Sequence, residues 1–254
     1  MRDLFRASCA ELLKLRRTLA LRLAIVAPLI IVLLQLGIYI VRGDEVAERE
    51  ANPMLGYMQI IFTLWTVVFL PFYASLVASL LADMEHRSQN WSFLLTLPID
   101  RRYLYAAKFA AGATLLLLSS TVLWLSTAGT ASLVHLAHPA WHSAAFPFEA
   151  LTTHTLLSLL ATSLLFTVQM WISLRFRSFM VGLSVAITGI LVNIILLPRG
   201  PMLVDSLIPW AMPAITIAPH SPYRLLAVVW GVLGGIFTMV AAVQLMSSRE
   251  YREA

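Results

Sequence analysis

Six stretches of about 20 predominantly apolar residues punctuate this chain, each long enough as a helix to cross the hydrocarbon core of a bilayer. They run Leu19–Val41, Leu55–Ala82, Tyr103–Leu136, Leu151–Leu174, Phe179–Leu197 and Tyr223–Met246. In hydrocarbon each backbone amide must be satisfied without water, which favours helices over open sheets. The predicted fold is therefore an all-α integral membrane protein, a single transmembrane domain over 1–254. Composition agrees: 59% of the residues are apolar and 12% are charged, about half the charge of an ordinary soluble domain. The second and third runs exceed what lipid requires and should tilt or project into water. Pro28 and Pro71 lie within spans, where each can kink its helix and neighbouring helices can absorb the loss of one backbone bond. The first run ends in GIYIVRGDE, without a small-x-small cleavage pattern, so it should remain as a signal anchor.

Basic residues set the orientation. Of the 18 Lys and Arg residues, 14 fall in the N-terminal segment, the second-to-third connection, the fourth-to-fifth turn and the C-terminal tail. Only Arg42, Arg49, Arg199 and Arg224 fall on the other side. The basic side of a membrane protein is cytoplasmic, so both termini should lie inside. This asymmetry accounts for the net charge of +5 and leaves no reason to invoke nucleic acid. A single cysteine, Cys9, excludes an internal disulfide and a Cys-based zinc site.

Residues 1–18 read as an amphipathic helix. In DLFRASCAELLKLRR, Leu4, Phe5, Ser8, Leu12 and Leu15 share one side, with Asp3, Arg6, Lys14 and Arg17 opposite. Glu11, Lys14, Arg16 and Arg17 supply its charged residues near the first span. Such a helix can lie on the inner leaflet, or serve only as the basic flank that sets topology. On the outer side, residues 198–222 hold six prolines yet are apolar. That segment should be irregular, dipping into the outer leaflet or capping a cavity against protein.

The densest polar interruption is MEHRSQNWSFLLTLPIDRRYLYAAKF, Met84–Phe109, in the second-to-third connection. Trp91, Leu94 and Leu95 stand at i, i+3 and i+4, after His86, Arg87, Gln89 and Asn90. Pro98 disfavours helix at Leu97, and Asp100 can cap the helix that follows. The pattern is a short helix, a hard stop, a cap and a new helix. Its Trp/Leu face can dock in a groove of a soluble partner or sink among lipid headgroups.

Glu85, Asn90-Trp91, Leu94-Leu95-Thr96-Leu97-Pro98-Ile99, Arg101 and Lys108 together resemble the membrane subunits of ABC-2-type exporters, and in particular the bacitracin- and lantibiotic-resistance (immunity) permeases. AELLKLRRT at the N-terminus is similar to that branch's inner-leaflet helix. A Gly common shortly after the Glu in that branch is absent, with His86-Arg87-Ser88-Gln89 in its place. The resemblance implies that residues 83–100 form a coupling segment, with Glu85, His86, Arg87, Asn90, Trp91, Leu94, Leu95, Pro98 and Arg101 engaging an ATP-binding subunit. It further implies two such ATPases and a second permease subunit per assembly, in a bacterial inner membrane. ATP and Mg would belong to the partner and no cofactor to this chain, which carries no G-x-x-x-x-G-K-[ST]. The implied activity is export or extraction of a hydrophobic or amphipathic substrate, a peptide antibiotic among the candidates.

Other polar residues are weaker candidates. Gln35, Gln59, Gln169 and Asn193 lie within or near spans and should either bridge helices or line a pathway. Gly231-x-x-x-Gly235 permits close helix approach, within the subunit or across a dimer. His135, His138, His142 and His154 gather toward the outer face, but Pro139 interrupts any helical register and H-E-x-x-H does not occur. The rival readings are a membrane scaffold without a transport path and a metalloenzyme using these histidines. Serines and threonines of span three, Ser119 to Thr127, suit helix packing better than nucleophilic chemistry.

Overall fold

A computed structural model describes residues 2–47, 52–87, 101–138, 145–176, 178–200, 202–218 and 221–249. All six apolar runs are helices long and apolar enough to cross a membrane, and no strand occurs among the described residues.

The chain opens with α1 (Arg2–Lys14), 13 residues long. It then turns through Arg17, whose φ of 68° is the left-handed conformation that ends many helices. Thr18 starts the next helix: its Oγ1 accepts from the Leu21 amide at 3.3 Å. The expected amphipathic helix is thus shorter than residues 1–18, and Arg16 and Arg17 stand in the turn after it. A reversal this tight needs a residue outside helical geometry, and Arg17 supplies it.

Span one is α2 (Leu19–Ala47). Span two begins where Asn52 Oδ1 accepts from the amides of Met54 and Leu55, with Pro53 at the first helical position, where its missing N–H costs nothing. It proceeds through α3 (Pro53–Leu64), one π-helical turn over Trp65–Phe69, and α4 (Leu70–Arg87). Span three is α5 (Arg101–Ala137), 37 residues. At 1.5 Å per residue it is roughly 55 Å long, well beyond the ~30 Å hydrocarbon core. Spans four, five and six are α6 (Phe148–Arg175), α7 (Phe179–Leu196) and α9 (Arg224–Arg249).

Span two is the centre of the bundle. Its most apolar window is 61% buried, against 22% for span five and 28% for span six. Met54, Tyr57, Ile61, Trp65, Leu70 and Val77 are all essentially inaccessible. Outward faces carry large apolar side chains such as Leu34, Val41, Ile195 and Phe237, the surface expected of helices solvated by lipid tails.

The proline-rich segment folds as two 3₁₀ turns, Leu197–Arg199 and Asp205–Leu207, and a short helix α8 (Met212–Ile215). Met212 and Ile215 pack with Ala161, Ala227 and Val228 of spans four and six. Asp205 is buried and holds the segment locally, accepting from Arg199 Nη2 at 3.2 Å and the Met202 amide at 2.9 Å. A small cavity of about 50 Å³ lies between this segment and the end of α7.

Candidate functional site

The charge-bearing site forms where α1 folds back on the start of α5. Ala7 and Glu11 of α1 and Leu15 just past its end, spaced four apart, form a buried stripe. Leu104, Ala107 and Lys108 form the matching face of α5, and Ala7 packs between the first two. Lys108 Nζ donates to Glu11 Oε2 at 3.0 Å, while Lys14 Nζ reaches Glu11 Oε1 at 2.8 Å. The Lys108 and Glu11 side chains are only 2% and 7% exposed, and Lys14 is 33% exposed.

This geometry revises the picture of α1 as a helix with one apolar side. Phe5, Leu12 and Leu13 are exposed, whereas Leu15 is buried. The helix therefore has a protein-facing stripe centred on a charge and a separate apolar surface. A carboxylate this buried is tolerable only beside cations that also satisfy its lone pairs. The pairing was missed from sequence although a signal existed: Lys108 is the only Lys, Arg, Asp or Glu between Tyr103 and Leu136. A lone charge in an apolar run requires a partner.

The same α5 origin receives the second-to-third connection. Glu85, His86 and Arg87 complete the backbone of α4 and Arg101 opens α5. Asn90, Trp91, Leu94, Leu95 and Pro98 lie outside the described residues.

Two of the polar residues of the spans have backbone partners on another span. Gln169 Nε2 donates to the Gly182 carbonyl at 2.6 Å, and Asn193 Nδ2 to the Val67 carbonyl at 3.1 Å. Both amides bridge spans. Gln35 is buried and Gln59 exposed. Gln169 Oε1 is buried without a hydrogen-bond partner, which offsets part of what its amide gains. Gln169→Leu should accordingly cost no more than about 1.5 kcal/mol, read as a small fall in thermal unfolding temperature in detergent.

Gly231 and Gly235 face span four. A Cβ at Gly231 would lie 2.7 Å from the Cα and carbonyl oxygen of Ala161, and one at Gly235 would lie 3.0 Å from Ser163. Beside that contact, α5, α6 and α9 line an open apolar groove of about 290 Å³, with Phe109, Leu116, Phe166, Gly235 and Met239 in its wall. Gln35, Gln59, Gln169 and Asn193 do not line it.

Two of the outer histidines have separate neighbours. His138 Nε2 lies 2.8 Å from the Tyr39 carbonyl oxygen, and the His154 ring sits 5.7 Å from that of Phe62. No group of three His, Cys, Asp or Glu among the described residues could hold a metal ion. His142 lies outside the described residues.

A family model described as "ABC-2 family transporter protein" matches residues 9–193. The chain belongs to the ABC-2 transporter family. The match takes in Glu11, Lys108, the segment 83–100 and Asn193, and ends before the outer segment and α9. No curated protein matches the chain. As an ABC-2 family protein with six apolar helices, it is a multi-pass membrane component of a transporter.

Proposed function

We propose that this chain is the permease subunit of an ATP-driven exporter and draws its energy from a separate ATP-binding subunit. The observation that carries this reading is the family match across 73% of the chain's length, residues 9–193 of 254, on a six-span body whose sequence lacks a P-loop. Fourteen of its 18 Lys and Arg residues face the cytoplasm of a bacterial inner membrane, with both termini there, and α1 lies at the inner leaflet with Phe5, Leu12 and Leu13 toward lipid. Residues 83–100 are the coupling segment: Trp91, Leu94 and Leu95 enter a cleft of the ATPase. Two permeases and two ATPases make the working assembly.

Energy then enters at the junction of α4 and α5. Glu11 and Lys108 hold α1 to the first turns of α5, so α1 and span three are displaced as one body. The substrate is hydrophobic or amphipathic, as the bacitracin- and lantibiotic-resistance branch suggests, and passes between the two permeases.

The test is to purify the chain with the protein products encoded beside it and measure ATP hydrolysis in vesicles. Co-elution of a P-loop ATPase whose rate rises with the chain is expected. Trp91→Ala with Glu85→Ala should abolish that rise while leaving membrane insertion intact. A chain that never retains an ATPase would instead be a scaffold, and normal stimulation by the double variant would remove 83–100 from the coupling role.

A further inference from the structure

Halfway along span two the backbone ladder changes register. Within the π-helical turn Trp65–Phe69, the Leu70 amide reaches back five residues to the Trp65 carbonyl. One residue later, Pro71 has no N–H, so the Val67 carbonyl four residues before it loses its ordinary donor. Such an orphan is costly where no water is at hand. The donor comes from another span: Asn193 of α7, 126 residues on, gives its Nδ2 hydrogen to Val67 at 3.1 Å. Asn193 is 2% exposed. Asn193 also lines the partly open cavity of about 50 Å³, together with Leu196, Ala211, Ala214 and Ile215. That is room for a small displacement of the carboxamide or for about one water.

One span thus contains three elements that let a helix bend: a π turn, a proline and a carbonyl held from outside. An alanine at position 71 would satisfy Val67 inside the helix and leave Asn193 nothing to cover. A bond donated by a neighbouring span, unlike one in the ladder, can open and close while both helices stay intact.

We infer that Trp65–Pro71 is the hinge of span two and that Asn193 is its latch. The carboxamide holds Val67 in one conformation and lets go when α4 tilts against α3. Asn193 is therefore a positioning residue. This rests on the proposed function, because α4 runs directly into the segment that would meet the ATPase.

The experiment uses the full complex in vesicles, in a Cys9→Ser background with spin labels at Ile60→Cys and Phe72→Cys. Both positions are partly exposed, on either side of the hinge. The label separation should change on ATP binding in the parent. Pro71→Ala gives the helix its own donor, and should fix the separation and drop ATPase stimulation to the level of the ATPase alone. Asn193→Leu should lower the unfolding temperature and show the tilted separation without ATP. The double variant Pro71→Ala/Asn193→Leu should recover the unfolding temperature but not the stimulation. Full stimulation and an unchanged ATP response in Pro71→Ala would overturn the hinge while leaving the permease reading intact. Failure of the parent to engage any ATPase would remove both.

Discussion

Lys108→Met is expected to destabilise the protein by about 3–5 kcal/mol, the range found when one member of a buried ion pair is removed. Glu11 would keep only Lys14, which is one-third exposed and leaves one face of the carboxylate dry. Replacing both partners, as in Glu11→Leu/Lys108→Met, should recover most of the loss, since two apolar groups of similar volume leave no uncompensated charge. Lys14 can then carry its ammonium to water on its long stem. Thermal unfolding in detergent, compared across the single and double variants, measures the interaction directly. A single variant as stable as the parent would show that α1 is not fastened by this pair. The double variant also separates stability from work. If α1 and span three must move together, the double variant should be stable yet stimulate ATP hydrolysis poorly.

The second large effect is expected at Gly231. Any side chain there meets the backbone of Ala161, and backbone cannot rotate away as a side chain can. Gly231→Val should force spans four and six apart and cost about 3 kcal/mol, the upper part of the range for overpacking. Gly234→Ala is the control. Its added carbon would meet only the Leu164 side chain at 3.2 Å, which can shift, so the change should stay below about 1 kcal/mol. Equal losses at the two glycines would mean that helix propensity, not close approach, governs this face. Because α9 packs more extensively on α6 than on any other helix, the pair is a test of the subunit's own assembly.

Number and type of spans were legible because length and apolarity alone decide them in a bilayer, and six runs became six helices. Ends were less legible: span two was read from Leu55, whereas its helix starts at Pro53, capped by the Asn52 side chain. Arg17 was not legible. Nothing in Leu-Arg-Arg-Thr announces a left-handed residue, because the turn is set by where α1 must dock. The Gln and Asn residues could be recognised as needing partners, but a sequence does not say which carbonyl is vacant unless a proline marks it. Pro71 does mark Val67, four residues earlier, but the residue that donates to it, Asn193, is known only from the fold. The docking of Glu11 on Lys108 lay beyond periodicity for the same reason that makes it strong: the two are far apart in the chain and meet only once three helices are in place.

That separation also bears on how the molecule is made. Glu11 leaves the ribosome 97 residues ahead of Lys108, a lead of about 5–20 s at ordinary elongation rates. During that interval its carboxylate has no counterion from the third helix and is best left at the aqueous surface. The N-terminal helix therefore reaches its seat late, after the third hydrophobic segment has been handed to the bilayer, and nascent chains shorter than about 108 residues should carry it undocked.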